Sequence, residues 1–109
     1  MGVSAERNEY AFKPIEGNSI HIDLSHCRYL GEVHRMLKEQ FGFPAYYGEN
    51  WDALWDCLDG RFDGCGEILI EVSGYGEMPE ELQKNCRTML EIFKEAEETM
   101  PNIHFEYLL

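Results

Sequence analysis

Apolar and polar positions divide the chain into segments with two different periods. In "SIHIDL", Ser19 to Leu24, apolar Ile20, Ile22 and Leu24 alternate with His21 and Asp23, which predicts a strand with one face toward a core. The step then lengthens to three and four residues through Leu30, Val33, Met36, Leu37 and Phe41. That spacing predicts a helix from Tyr29 to Phe41, ended by Gly42 and then Pro44. A tight turn through Gly48 leads to Asn50, a good N-cap, and to a short helix over 51–59 with Gly60 as its stop. "EILIEV", Glu67 to Val72, is a second strand, and "SGYGEMP" is a loop whose Pro79 suits a first helical turn. Over 80–99, Leu82, Cys86, Met89, Leu90, Phe93 and Ala96 share one side of a long amphipathic helix, bent or broken near its start. "IHFEYLL", Ile103 to Leu109, alternates again as a third strand. Strands separated by helices imply right-handed crossovers and a parallel sheet, hence a small α/β domain. Residues 1–17, which mix charge with "KPIEG", are expected to form an extension outside a domain spanning 18–109.

Composition narrows the partners. With 9 basic against 21 acidic residues among 109, the formal charge is -12, which repels nucleic acid and anionic membranes and speeds encounter with a basic protein. A hydrophobic fraction of 44% suits a compact core and argues against disorder. The N-terminus lacks a basic segment followed by an apolar one, so no secretory leader is expected, and no run reaches the length of a membrane span. Cys27, Cys57, Cys65 and Cys86 are scattered, with no C-x-x-C pair and no zinc-finger spacing. Reduced thiols in a cytoplasmic protein without metal or cofactor are the simplest reading.

The chemistry concentrates in "YYGENWDALWDCLDG", Tyr46 to Gly60, which holds four carboxylates (Glu49, Asp52, Asp56, Asp59) and four large aromatics but no Lys or Arg. Advanced by 100° per residue from Trp51, Trp55, Asp59, Asp52 and Asp56 fall between about 40° and 140°. Ala53, Cys57, Leu54, Leu58 and Trp51 take the opposite arc as the buried stripe, so Trp55 lies with the aspartates. Asp52 and Asp56 are an i,i+4 like-charge pair, which costs a few tenths of a kcal/mol. Asp52 recovers part of this near the positive helix N-terminus, whereas Asp59 sits at the negative end. Folding does not require the arrangement. Either it is a solvated face in an acidic protein, or it is shaped for a cationic partner, with Tyr46 and Tyr47 as aromatic anchors beside it. At least one of the two tyrosines is expected to pack down onto the helix.

Matched through Pro44, Tyr46, Tyr47, Gly48, Glu49, Asn50, Asp52, Ala53, Leu54, Trp55, Asp56, Cys57, Leu58 and Gly60, "PAYYGENWDALWDCLDG" closely resembles the signature of the barstar family, intracellular inhibitors of barnase-type ribonucleases. The likeness runs more loosely upstream through "VHRMLKEQF" and downstream to "IFKEAEE". It implies a three-stranded parallel sheet in order 1-2-3 packed with helices. It also implies a protein inhibitor, an antitoxin or immunity protein, that plugs the active site of a secreted basic ribonuclease as a 1:1 complex. Carried over by position, Asp56 would imitate the RNA phosphate among active-site cations, and Tyr46 would pack on the catalytic histidine. Asp52, Trp55, Asn50, Ala53 and Gly60 would complete the contact surface, with Glu95 on the long helix as a second acidic contact.

Arg61 departs from that pattern, because an aromatic contact would suit the position better and a cation facing a basic ribonuclease is unfavourable. If the target is not a barnase-like ribonuclease, Arg61 is the residue expected to show it, and a different basic toxin domain is the alternative. Asp59, the 62–66 loop and the loop around Tyr75 are further departures. An enzymatic reading finds little support, since no Ser or Cys stands in a nucleophile motif and two carboxylates on one exposed helical face form no cleft. His34 could lie near the acidic helix, with a packing or surface role as its plainer reading.

Overall fold

In the computed structural model, which describes residues 12–13 and 17–108, eight elements follow one another. They are β1 (Ser19–Asp23), α1 (Leu30–Phe41), α2 (Trp51–Leu58), β2 (Ile68–Ser73), a 3-10 turn (Tyr75–Glu77), α3 (Glu80–Asn85), α4 (Arg87–Thr99) and β3 (Ile103–Leu108). The strands form one parallel sheet in the order β1-β2-β3, the order that the resemblance implies. Of the expected 1–17 extension only Phe12, Lys13 and Gly17 are among the described residues, and Leu109, expected to close β3, lies outside them.

Register explains why, among the described residues, one face of the sheet is buried under helices. Ile20 pairs with Ile70 and Ile70 with Phe105, while Ile68 pairs with Ile103 and Ile22 with Val72. Period-2 alternation therefore puts every large aliphatic of β1, and Ile68, Ile70 and Val72 of β2, on one side. Those side chains are buried, whereas His21, His104 and Glu106 on the reverse side are exposed. Beneath the helices, Phe41 stacks on Phe43 at 5.3 Å between ring centroids and meets Phe62 and Phe93 at 6.2 Å. Phe93 stacks on Phe105 at 4.4 Å, tying α4 to β3. Aromatic pairs of this kind add about 1 kcal/mol each beyond their burial.

Helix ends follow local chemistry. Gly42, with φ 69°, closes α1 in the left-handed conformation and donates its N–H to the Lys38 carbonyl. The long amphipathic segment does break near its start. Cys86, with ψ near 1°, turns its N–H onto both Leu82 and Gln83 carbonyls, and α4 begins with the next residue. A turn tightened in this way ends one helix and redirects the chain without any proline. Cys27, Cys57 and Cys86 are buried and Cys65 is exposed. Burial pushes the Cys86 thiol up to about 11 and raises those of Cys27 and Cys57, so the three stay protonated and unreactive at neutral pH.

Candidate partner-binding site

Asn50 sets the start of the acidic helix. Its side-chain oxygen accepts the Ala53 N–H at 2.8 Å, and its amide nitrogen donates back to the Gly48 carbonyl at 3.3 Å. Capping of this kind contributes about 1 kcal/mol and fixes the direction in which the helix leaves the loop. Immediately before it, Glu49 holds φ 53°, a left-handed conformation that costs a non-glycine residue about 1 kcal/mol. The loop joins two well-packed helices, and strain of this size persists only where the surrounding structure holds it.

The two tyrosines separate. Tyr47 is 5% exposed, with its hydroxyl 2.7 Å from His34 Nδ1, while Tyr46 is 56% exposed. The expectation that one of the pair packs down is met by Tyr47. His34 is 2% exposed, its ring lies 4.5 Å from that of Trp51, and its Nε2 has no hydrogen-bond partner among the described residues. Burial lowers the His34 pKa against an opposing pull from Glu49, and burial raises that of the Tyr47 phenol. The pair is therefore neutral at pH 7 and acts as a packed rivet between α1 and the loop. This is the plainer of the two readings of His34.

On α2 itself Leu54, Cys57 and Leu58 are buried and Asp52 and Asp56 are exposed, as the projection requires. The division between the indoles is less sharp than the projection made it. Trp51 and Trp55 are both half-buried against the core cluster, because an eight-residue helix has only two turns and its first ring rests on His34 rather than inside the sheet–helix layer. Ala53 is half-buried, Gly60 turns the chain with φ 76°, and Glu95 is exposed on α4, the helix that α2 packs against. Among the described residues none of Glu49, Asp52, Asp56 or Asp59 makes a salt bridge. No group of three His, Cys, Asp or Glu among the described residues is placed to hold a metal ion, and no helix is long and apolar enough to cross a membrane.

Arg61 is corrected by its surroundings. A cation confronting the partner was expected, but its guanidinium turns inward. Nε donates to the Phe41 carbonyl at 3.0 Å and an NH2 group to the Lys13 carbonyl at 2.6 Å. The group lies 4.9 Å above the Phe12 ring and 5.4 Å from the Phe62 ring. Carbonyl dipoles and aromatic faces satisfy a planar guanidinium well, and burial pulls its pKa down while leaving it charged. Sequence reasoning missed this use of Arg61, since its acceptors are backbone carbonyls 20 and 48 residues away. The 62–66 loop is held similarly, with the Asn102 amide donating to the Phe62, Cys65 and Gly66 carbonyls.

Known proteins share this architecture in sequence. The family model described as "Barstar (barnase inhibitor)" matches residues 18–109. A Bacillus subtilis (strain 168) protein named "Putative ribonuclease inhibitor YrdF" is 35% identical over 68 residues, which span 62% of this chain and 72% of that protein.

Proposed function

This chain belongs to the barstar family, and from that premise we propose that it is a protein inhibitor, not an enzyme, whose acidic helix and preceding tyrosine loop block the active site of a barnase-like ribonuclease in a 1:1 complex. Residues 18–109 form the inhibitory domain, and its role is that of a cytoplasmic antitoxin or immunity protein. The observation that carries the reading is the exposed face of α2, where aspartates stand without salt bridges among the described residues beside an exposed tyrosine and a half-buried tryptophan.

The chemistry follows from that face. A ribonuclease gathers cations around the phosphate it cleaves. Asp56 supplies a carboxylate to the same cations, and charge-assisted hydrogen bonds in the closed interface exceed their strength in water. Tyr46 packs on the catalytic histidine, while Asp52 and Trp55 flank it. Asn50, Ala53 and Gly60 bring backbone and small side chains close, and Glu95 adds a second acidic contact from α4. Pre-organisation by Asn50 and by the His34–Tyr47 rivet lowers the ordering cost of binding. The excess of acid steers the approach of a basic enzyme, an effect for which the barnase–barstar pair is itself a standard illustration.

RNA cleavage by a purified barnase-type ribonuclease, titrated with this protein, tests the proposal. Stoichiometric loss of cleavage is expected, with relief of inhibition by Asp56→Ala. Undiminished cleavage at micromolar protein rejects this target and leaves a different basic toxin domain as the alternative.

A further inference from the structure

Arg61 follows the acidic helix directly, yet its side chain is committed to the chain's other end. Lys13 is held on both sides of its peptide unit. Its N–H donates to the Gly42 carbonyl at 2.8 Å, and its carbonyl accepts from Arg61 at 2.6 Å. Gly42 makes this approach possible, since a Cβ there would lie 2.7 Å from the Lys13 carbonyl oxygen, on a backbone already at φ 69°. Phe12 adds its ring, edge-on to Phe43 at 6.2 Å and beneath the Arg61 guanidinium. Phe43 in turn packs tilted, at 5.0 Å between ring centroids, against Tyr47, the buried member of the tyrosine loop. One guanidinium thus joins three places: the turn leaving α2, the last residue of α1, and a short N-terminal segment that supports the loop entering α2.

We propose that Arg61 is a positioning residue of the acidic face. It locks Phe12–Lys13 across the end of α1, and that lock holds the α2 exit turn at Asp59–Gly60 and, through Phe43, the tyrosine loop. The chain replaces a contact at this position by an internal strut, and its charge is withdrawn from an otherwise acidic corner formed by Asp59 and Asp63, both exposed. The consequence for a ribonuclease rests on the inhibitor reading, whereas the lock itself does not.

Amide hydrogen exchange on the full chain separates the two. In Arg61→Ala, the Lys13 amide is expected to exchange about tenfold faster or more, the loss that follows from removing a charge-assisted hydrogen bond. The Asp59 and Tyr47 amides, which donate to Trp55 and Pro44 carbonyls, should also speed up, while Ile70 in the central strand keeps its rate. Arg61→Lys should restore little, because one ammonium cannot span two carbonyls as a planar fork does. Phe12→Ala should give the same pattern without removing a charge. An unchanged Lys13 rate in Arg61→Ala overturns the lock. Faster exchange at Lys13 alone, or equally at Ile70, overturns the positioning role. In the ribonuclease assay, Arg61→Ala should hasten dissociation by about tenfold. If the wild-type protein fails to inhibit at all, the inhibitor reading falls, and the exchange pattern still decides the lock.

Discussion

Two of the molecule's acidic surfaces are built differently. On the open face of the sheet, Glu67 pairs with His104, His21 Nε2 lies 2.8 Å from the Ser73 hydroxyl, and Glu71 stands in register between His21 and Glu106. From α4, not from the sheet, Glu97 accepts the Phe105 N–H at 2.9 Å on the edge strand, where an unpaired donor would invite strand addition. Along α2 the aspartates have no such partners among the described residues. Both faces come from one composition, so net charge alone does not explain the second. A solvated acidic surface looks like the sheet, where Glu67 is paired with His104 and Glu71 lies in register beside His21. Among the described residues the helix keeps its carboxylates without ion pairs, at the end of a strained and capped loop.

The strongest way to break the comparison is to remove one acid from each surface. Asp56→Ala, and separately Tyr46→Ala, should each weaken ribonuclease binding by at least about 2 kcal/mol, with circular dichroism and melting temperature unchanged. Glu106→Ala on the sheet should stay within about 0.5 kcal/mol. Titration calorimetry reads all three. Equal small losses at all of them would mean that neither face is an interface.

The rivet under the loop comes next, because the face depends on it. Tyr47→Phe leaves His34 Nδ1 buried without its partner and should cost about 1–2 kcal/mol of stability in urea unfolding. The same group makes stability pH-dependent. Burial depresses His34 below its ordinary value of 6.5, so the unfolded chain takes up a proton that the folded chain resists. Its contribution is complete above pH 6.5 and is lost as pH falls toward the depressed folded value. A steady decline of unfolding free energy below pH 6.5 is expected, and His34→Phe should flatten that part of the profile. A wild-type profile level down to pH 5 would deny the rivet.

Asn50→Ala removes the cap that orients α2 and should cost about 1 kcal/mol of stability. The loss in ribonuclease binding should be of similar size, through a faster dissociation rate. Asn50→Asp, which keeps an oxygen acceptor for the Ala53 N–H, should restore most of the stability. Loss of binding without loss of stability would place Asn50 in direct contact rather than in a cap.

Periodicity made the fold legible. Alternation at Ile20, Ile22 and Leu24 and the three-four step through Val33, Leu37 and Phe41 named residues that are buried on β1, just after it and on α1, since burial of one face is what those periods encode. Leu30 and Met36 of the same step are only half-buried, and the buried His34 lies outside it. The Asn50 cap was local in sequence and legible for that reason, whereas a break near the start of the long helix was legible without its position, since Cys86 fitted the apolar stripe. Features that depend on distant backbone were not. Nothing in the spacing of Arg61 shows that its acceptors are the Lys13 and Phe41 carbonyls, and a cation beside an acidic motif reads as a surface charge until the fold brings those carbonyls to it. Trp51 was half legible, because a helical projection gives the direction of a side chain and not what lies beneath it.

The smallest effect tests whether the difference between the two surfaces extends to long range. Glu98 is exposed on α4 and has no place in the proposed contact. Removing its charge as Glu98→Gln should slow ribonuclease association by about twofold or less at low ionic strength, with the dissociation rate unchanged. At about 0.5 M salt the Debye length shrinks to about 4 Å, and the difference should vanish. Glu106→Gln on the sheet is the matched control, since steering falls off with distance from the docking face. If Glu106→Gln slows association as much as Glu98→Gln does, steering belongs to the whole charge of -12 and not to its arrangement. The two acidic surfaces would then differ only in short-range contact, where Asp56 and Tyr46 act.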